Sequence, residues 1–361
     1  MRIIEEEQLD FDDVLIQPKR SDINSRKDVS IYRTFEWVDV YGNKHELNCI
    51  PVMISNMGTV GTPNMAKIAA LNGYMCALEK HTSLKDICDL FDELEFLAEK
   101  EQHNKTYYTQ RVCPSIGIKE STDDLKELSE RHHITVVCID VPNGYIPNLI
   151  KRIKEIRDIF PTSFIIAGNV VTPDICQDII IAGANIVKCG IGNGSACLSR
   201  VKAAIGRPQL STIVECADAC HQVGGFCMSD GGLKNSGDIC KAFGAGADFV
   251  MSGSLFAGCE ESDGETVIIN NKPHKQYYGM SSHYAQEKHF GGIRNYSASE
   301  GRTKLVPITG KLEDVFTDIS GGIKSCMTYI GAHKLKNIPK QTTFYRVRRQ
   351  INNLFENCKD F

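Results

Sequence analysis

Between residues 50 and 254, short apolar runs rich in β-branched residues alternate with amphipathic stretches of helical period. Eight runs stand out, at 50–55, 73–78, 111–117, 134–140, 163–168, 185–190, 225–230 and 247–253. They are continuous, not alternating, as expected of parallel strands covered on both faces. The stretches between them, such as 123–131, 148–160 and 174–182, suit crossover helices. The alternation predicts an α/β fold, and eight such units fit a closed (β/α)8 TIM barrel, with an open doubly wound sheet as the competing arrangement. The polar residues favour the barrel, because Asn56, Lys80, Asp140, Asn169, Cys197, Asp230 and Gly253 all follow the C-terminal ends of runs, where a barrel collects its chemistry. An open dinucleotide sheet would carry its Gly-rich turn after the first strand, whereas the densest one here follows the sixth.

An N-terminal arm (1–49) and a long tail (259–361) lie outside this rhythm. Within the tail, 279–301 is rich in Gly, Ser and Tyr with little apolar period, so it reads as a mobile flap able to close over a site. No repeat or polar linker divides the chain, and 1–361 is expected to be a single domain with barrel elements over about 50–330 and no regulatory insertion.

Composition narrows the function classes. Lys+Arg 41 against Asp+Glu 45 gives a net charge of -4, which offers no general attraction to a nucleic acid polymer or an anionic membrane. No run approaches the roughly 18 apolar residues of a membrane helix. Fifteen cysteines without a Cys-x-x-Cys, behind an acidic start, point to free thiols and a cytoplasmic location. No His-Glu-x-x-His or zinc-type Cys/His spacing occurs, so no transition metal is expected.

The sharpest chemical feature is GIGNGSACLSR, 190–200, directly after an apolar run. Its alternate glycines let backbone approach a ligand or ion, and the loop delivers Cys197 where a helix should begin, making that thiol a candidate nucleophile. Most cysteines are simply small buried hydrophobes, and position is what separates this one. SDGG (229–232) and SGS (252–254) end the seventh and eighth runs, where barrels hold phosphates. Asp230 suits ribose hydroxyls, or, in the plainer reading, caps a helix. Lys80 and Asp140 end apolar runs and must face the mouth or be paired. Glu300 closes the flap as a possible proton carrier or a merely solvated acid. His132 and His133 read as packing or surface residues, and the basic run 346–349 as a solvated or subunit-contact face.

Together, LDFDDVLIQPKRS (9–21), NMGTVGT (56–62), IDVPNGY (139–145), AGNVVT (167–172), GIGNGSACLSR (190–200), PQLSTIVECADA (208–219), SDGG, GMSS (279–282), ASEG (298–301) and TTFYRVRRQ (342–350) resemble the IMP dehydrogenase/GMP reductase family over nearly the whole chain. The resemblance implies a (β/α)8 barrel that assembles as a homotetramer. It also implies reductive deamination of GMP to IMP and ammonia with NADPH, a step of purine nucleotide salvage. Cys197 would attack purine C2, Ser199 and Glu300 would relay protons, and Lys80 matches an active-site lysine. GMP or IMP would be held by Asp230, Gly231, Gly232, Gly253, Ser254, Gly279, Met280, Ser281, Ser297 and Gly301. NADPH would meet His81, Asp140, Val141, Pro142, Ile191, Gly192, Met280, Tyr296 and Ser297, with Ser25, Arg26, Ser325, Cys326, Met327 and Thr328 supplied across a subunit boundary. Gly192, Gly194 and Cys197, with Arg200 nearby, match a potassium site.

The chain departs from the family pattern at Gly58 in place of Asp, Glu79 in place of His, Leu198-Ser199 in place of Thr-Thr, and Ser297 in place of Arg. These bear on cofactor preference and binding strength. Two other readings remain open from sequence. One is IMP oxidation by an enzyme without the regulatory insertion, against which Lys80 to Arg111 is too short for a separate domain and Arg294 and Tyr296 are split by Asn295. The other is a nucleotide-binding subunit without turnover, which the retention of Cys197, Lys80 and Glu300 opposes.

Overall fold

The structure is a computed structural model that describes residues 1, 3–292 and 298–348. Its centre is a parallel barrel whose strands, in chain order, are Val52–Ile54, Met75–Ala77, the pair Val112–Cys113 and Ser115–Ile116, Val136–Asp140, Phe164–Val170, Ile186–Cys189, Phe226–Asp230 and Phe249–Ser252. The third strand is split by Pro114, which has no N–H to give the ladder. Closure survives the break, because Leu78 N–H donates to the Cys113 carbonyl (2.8 Å) on one side and Cys138 N–H to the Pro114 carbonyl (2.9 Å) on the other. The eighth strand pairs with the first through Val250 opposite Val52, so the sheet has no open edge. Each strand falls within or beside its sequence run, and the (β/α)8 reading stands.

Alternation along the strands builds two cores. Val136, Cys138, Ile166, Ile186, Met228 and Met251 face the barrel axis, while Val137, Ile139, Ala167, Val187, Cys227 and Val250 face the helices. The bottom of the barrel is plugged by a hairpin, Arg33–Val38 with Lys44–Cys49, from the arm. Phe35 stacks on Phe249 at 4.1 Å and meets Phe226 edge-on at 5.3 Å, and Trp37 Nε1 donates to the Thr162 carbonyl (2.9 Å). With that end filled, the C-terminal mouth is left for ligands.

The tail holds more structure than its composition suggested. Thr266–Ile269, Lys272–Tyr278 and Thr303–Pro307 form an antiparallel sheet, the first two joined by Asn270 and Asn271 at φ 48° and 61°. The stretch 279–301, expected as loop, carries the helix His283–Phe290, started by Ser282, whose hydroxyl accepts from Ala285 N–H (3.2 Å), and stopped by Gly291 at φ 71°. Its polar faces hid it, although Ser and Gly caps were readable. The arm and tail also meet, Val14–Ile16 pairing with Phe344–Arg346. Arg346, first of the basic run, forms an ion pair with Glu7. His132 is buried and bonds Glu95 Oε1 at 2.9 Å, a packing role. Among the described residues no helix is long and apolar enough to cross a membrane.

Candidate active site

The sixth strand ends in Cys189, and the loop that follows turns at Gly190, φ 151°. A Cβ at Gly190 would lie 2.1 Å from the Asp230 carbonyl oxygen, so only glycine lets this loop pass the end of the seventh strand. Cys197 N–H donates to the Gly194 carbonyl (3.0 Å), and the short helix Ser199–Lys202 begins two residues beyond the thiol. Cys197 is half-buried, unlike most of the described cysteines, which lie in the core.

The flap anchors close on this loop. Leu198 N–H donates to the Glu300 carbonyl (2.6 Å), Arg302 N–H to the Ala196 carbonyl (3.0 Å), and Cys197 bridges Gly301. Backbone contact is close here, since a Cβ on Gly301 would sit 2.6 Å from Ser282 N. The clasp aligns three side chains in series. Cys197 Sγ donates to Ser199 Oγ at 3.3 Å, and Ser199 Oγ donates to Glu300 Oε2 at 2.6 Å. The sequence separates Ser199 and Glu300 by 101 positions, and the fold brings them into hydrogen-bond contact. Gly279, Met280 and Ser281 stand at the other side of the clasp, where Gly279 N–H bonds the Arg302 carbonyl (3.1 Å) and Ser281 O accepts from Ser299 Oγ (3.1 Å).

A second, charged layer lies at the mouth. Lys188, on the sixth strand and 2% exposed, bonds Asp140 Oδ1 and stands 3.5 Å from Asp230 Oδ2. Asn169 Nδ2 donates to Asp230 Oδ2 (2.7 Å) and to the Gly190 carbonyl (2.9 Å). Burial alone would raise the Asp140 carboxyl, but the Lys188 charge and hydrogen bonds from Lys188 and Asn56 hold it below the ordinary carboxylate value. Asp230 therefore does not cap a helix. That job falls to Asn235, whose Oδ1 accepts from Asp238 N–H at 3.0 Å. Gly231 and Gly232 take φ 83° and 76°, and Gly231 N–H bonds the Met251 carbonyl (3.1 Å), bringing the SDGG turn against the eighth strand that leads to Gly253 and Ser254.

The remaining expected residues divide into places. Lys80 pairs with Glu120 at 3.1 Å, so it is the charged partner of the loop after the third strand. His81 stacks on His289 of the flap helix at 4.4 Å, and burial pushes its pKa down, favouring the neutral ring. Val141 is buried, while Pro142 is exposed. Ile191 and Gly192 lie in the loop, and Arg200 braces it through Asn193 and the Arg207 carbonyl (2.9 Å). Ser25 and Arg26 sit at the start of the short turn Arg26–Asp28, which packs on the helix Leu312–Ile330, and Ser325 to Thr328 lie on that helix. Within it Met327 is fully buried. Tyr296 and Ser297 lie outside the described residues, as do Arg294 and Asn295. At Gly58, a Cβ would be 2.6 Å from the Tyr278 hydroxyl, so the family's Asp could enter only if that ring moved.

Sequence reasoning passed over Lys188, Glu120 and Gln209. Lys188 had a signal, a lone charge inside the run NIVKCG, which parallel burial forces to find partners. Gln209 Nε2 donates to the Cys189 carbonyl (2.8 Å) and to Ser229 Oγ (3.1 Å), joining sixth and seventh strands beneath the loop.

Comparisons with known proteins give the family. Residues 8–353 match the IMP dehydrogenase / GMP reductase domain. The chain is 43% identical over 362 aligned positions to a GMP reductase of Vibrio parahaemolyticus, covering 98% of this chain and 99% of that protein. It is 44% identical to a GMP reductase of Vibrio campbellii, with the same coverage. A third GMP reductase, from Klebsiella pneumoniae, is 43% identical over 360 positions, with 98% and 99% covered. On a match spanning nearly its full length, and with the thiol, hydroxyl and carboxylate aligned at the mouth of a closed barrel, the chain belongs to the IMP dehydrogenase / GMP reductase family.

Proposed function

We propose that the protein is an NADPH-dependent oxidoreductase that carries out GMP + NADPH + 2H⁺ → IMP + NADP⁺ + NH4⁺. The observation that carries this reading is the Cys197–Ser199–Glu300 series, which joins a nucleophile to a proton carrier through one hydroxyl. The full-length likeness to GMP reductases supports it.

The series explains how an amino group can be made to leave. Cys197 Sγ adds to purine C2, and its proton passes through Ser199 to the Glu300 carboxylate. Glu300 then returns a proton to the C2 amino group, which departs as ammonia and leaves a thioimidate between Cys197 and C2. NADPH supplies hydride to C2 when bound, and the Cys197–C2 bond breaks to release IMP. Ser199 keeps the hydroxyl of the family's Thr, so the relay is intact despite that departure.

For the nucleotide, Asp230 is the ribose acceptor, fixed by Asn169 and Lys188, and Gly231, Gly232, Gly253 and Ser254 offer backbone to the phosphate. For NADPH, the half-exposed imidazole of His81 and the exposed Pro142 offer an edge to a flat ring, and Arg26 with Ser25 offers a cation and a hydroxyl to phosphate. Because Ser25, Arg26, Ser325, Cys326 and Thr328 are not buried, they suit delivery to a neighbouring subunit's site, in a homotetramer, whereas Met327 is enclosed in its own chain. For potassium, the donor set is main-chain oxygen from Gly192, Gly194 and Cys197. The Gly194 carbonyl keeps a lone pair beyond its bond to Cys197 N–H, and oxygen donors of this kind suit a hard monovalent cation. Omission of potassium is then expected to lower kcat, restored by adding it back at constant ionic strength.

The test is NADPH absorbance with GMP and potassium, beside IMP with NAD, with ammonia assayed in both. Loss of NADPH with matching ammonia is the expected result. NADH from IMP alone would move the chain to the dehydrogenase reaction, and silence in both with GMP bound would make it a binding subunit. Glu300→Gln is expected to lower kcat by about 10²–10⁴-fold. It should slow ammonia release more than hydride transfer to an already deaminated intermediate. Equal slowing of both, in single-turnover experiments, would make Glu300 a positioning residue.

A further inference from the structure

Five thiols from four separate elements meet in the helix–sheet layer beneath the catalytic loop. Cys176 comes from the helix Pro173–Ile181, Cys189 from the end of the sixth strand, Cys216 and Cys220 from the helix Gln209–Gln222, and Cys227 from the seventh strand. All five are buried. Cys189 Sγ is 4.0 Å from Cys176 Sγ and 3.7 Å from Cys227 Sγ, and the sulfurs of Cys176, Cys189 and Cys216 all lie within 4.8 Å of one another. Four thiolates at about 2.3 Å around a tetrahedral ion stand about 3.8 Å apart, so the Cys189 spacings are already those of a metal thiolate.

We propose that Cys176, Cys189 and Cys216 form the core of a binding site for one soft d10 metal ion, Zn²⁺ or Cu⁺, with Cys227, 3.7 Å from Cys189 but outside that mutually close group, moving in as the fourth sulfur. Thiolate sulfur selects such ions over the hard cations that oxygen sites prefer. The ordinary reading of a buried cysteine is a small hydrophobe, and Cys88 or Cys259 fit it. A surface feature sets the cluster apart from those. A groove of ≈ 350 Å³ runs between the two helices that supply Cys176 and Cys216, lined by Asp174, Gln177, Glu215 and Asp218. Gln177 and Glu215 are the direct neighbours of Cys176 and Cys216; Glu215 is ion-paired with Arg207, so Asp174 and Asp218 are the carboxylates left to draw a cation to the layer above the sulfurs.

The proton balance is explicit. Cys216 and Cys189 now stand as thiols, since the hydrogen bond from Cys176 and burial raise the Cys216 pKa, and burial raises that of Cys189. Each sulfur that coordinates releases its proton to solvent, and the ion's charge takes the place of the protons. Arg207, whose charge acts on Cys216, offsets part of the remaining negative charge. An ion here would tie the helix Gln209–Gln222 to the root of the catalytic loop, because Cys189 immediately precedes Gly190 and its carbonyl already takes the Gln209 amide. The spacing rules that led to the expectation of no transition metal cannot see this site, as its sulfurs come from elements up to 51 positions apart in sequence (227 − 176).

The test uses the full chain, in wild-type and Cys197→Ala forms, titrated with Cd²⁺ as the spectroscopic probe and followed by thiolate-to-metal ultraviolet absorbance and native mass spectrometry. One ion per chain is expected in both, with two or more protons released per ion in weakly buffered solution. Competition by Zn²⁺ and by Cu⁺ then distinguishes the two ions. Cys216→Ser is expected to weaken binding more than about tenfold, with Cys88→Ser as the unchanged control. Cys216→Ala, small and apolar, replaces it if the Ser variant does not fold. A band that disappears in Cys197→Ala, one that persists unchanged in the Cys216 variants, or binding without proton release would overturn the proposal.

Discussion

Cys197→Ala is expected to reduce turnover by about 10⁴-fold or more while GMP still binds, because removing a nucleophile removes the covalent step and not the pocket. The structure separates the two functions physically. The Cys197 thiol contacts Ser199, whereas the proposed nucleotide contacts are Asp230, Gly231 and Gly232 on another loop, held by Asn169 and the Met251 carbonyl. Deleting Sγ breaks one 3.3 Å hydrogen bond and leaves that network in place. Calorimetry with GMP should therefore give a dissociation constant within a few-fold of wild type, while NADPH consumption disappears. Mass spectrometry of wild type quenched during turnover should show an adduct on the peptide containing Cys197, absent from the variant. Residual activity near wild type would remove Cys197 from the nucleophile's role.

The parts of this site that were legible in the sequence are those whose signal is local. An apolar run, a Gly-rich loop and a cysteine just before a helix can be read in a window of a dozen residues, and they gave the barrel strands and Cys197. The relay needed the family resemblance, since nothing local joins Ser199 to Glu300 across 101 positions. Other features are visible in the sequence but were not read. The alternation in RTFEWV marks the strand that plugs the barrel, and the Asn270-Asn271 pair marks the tail hairpin. What no local pattern supplies is convergence. Lys188 with Asp140 and Asp230, His81 on His289, and the five thiols are brought together by barrel closure and helix packing, and their sequence spacings carry no trace of it.

Convergence also fixes where the largest stability effect should fall. Lys188→Met is expected to cost about 3–5 kcal/mol, because it keeps most of the length of the side chain but removes the charge facing two carboxylates in a site where the lysine is 2% exposed. In wild type, Lys188 makes Asp140 a stronger acid than burial alone would allow. The folded protein thus binds fewer protons there than the unfolded chain, and this contribution to stability is present above the unfolded carboxylate value of about 3.9 and lost as pH falls through the lower folded one. Without the lysine the sign reverses. Burial and the like charge of Asp230 would raise the Asp140 pKa, the folded state would bind the extra proton, and stability would fall as pH rises from about 3.9 through the raised value. Urea unfolding of both proteins between acid and neutral pH measures this directly. Adding Asp140→Asn to Lys188→Met should recover part of the loss at neutral pH, since it removes one of the two stranded charges. A variant with wild-type stability at neutral pH, or a loss that is flat across the acid range, would mean that the carboxylates are solvated well enough to do without their lysine.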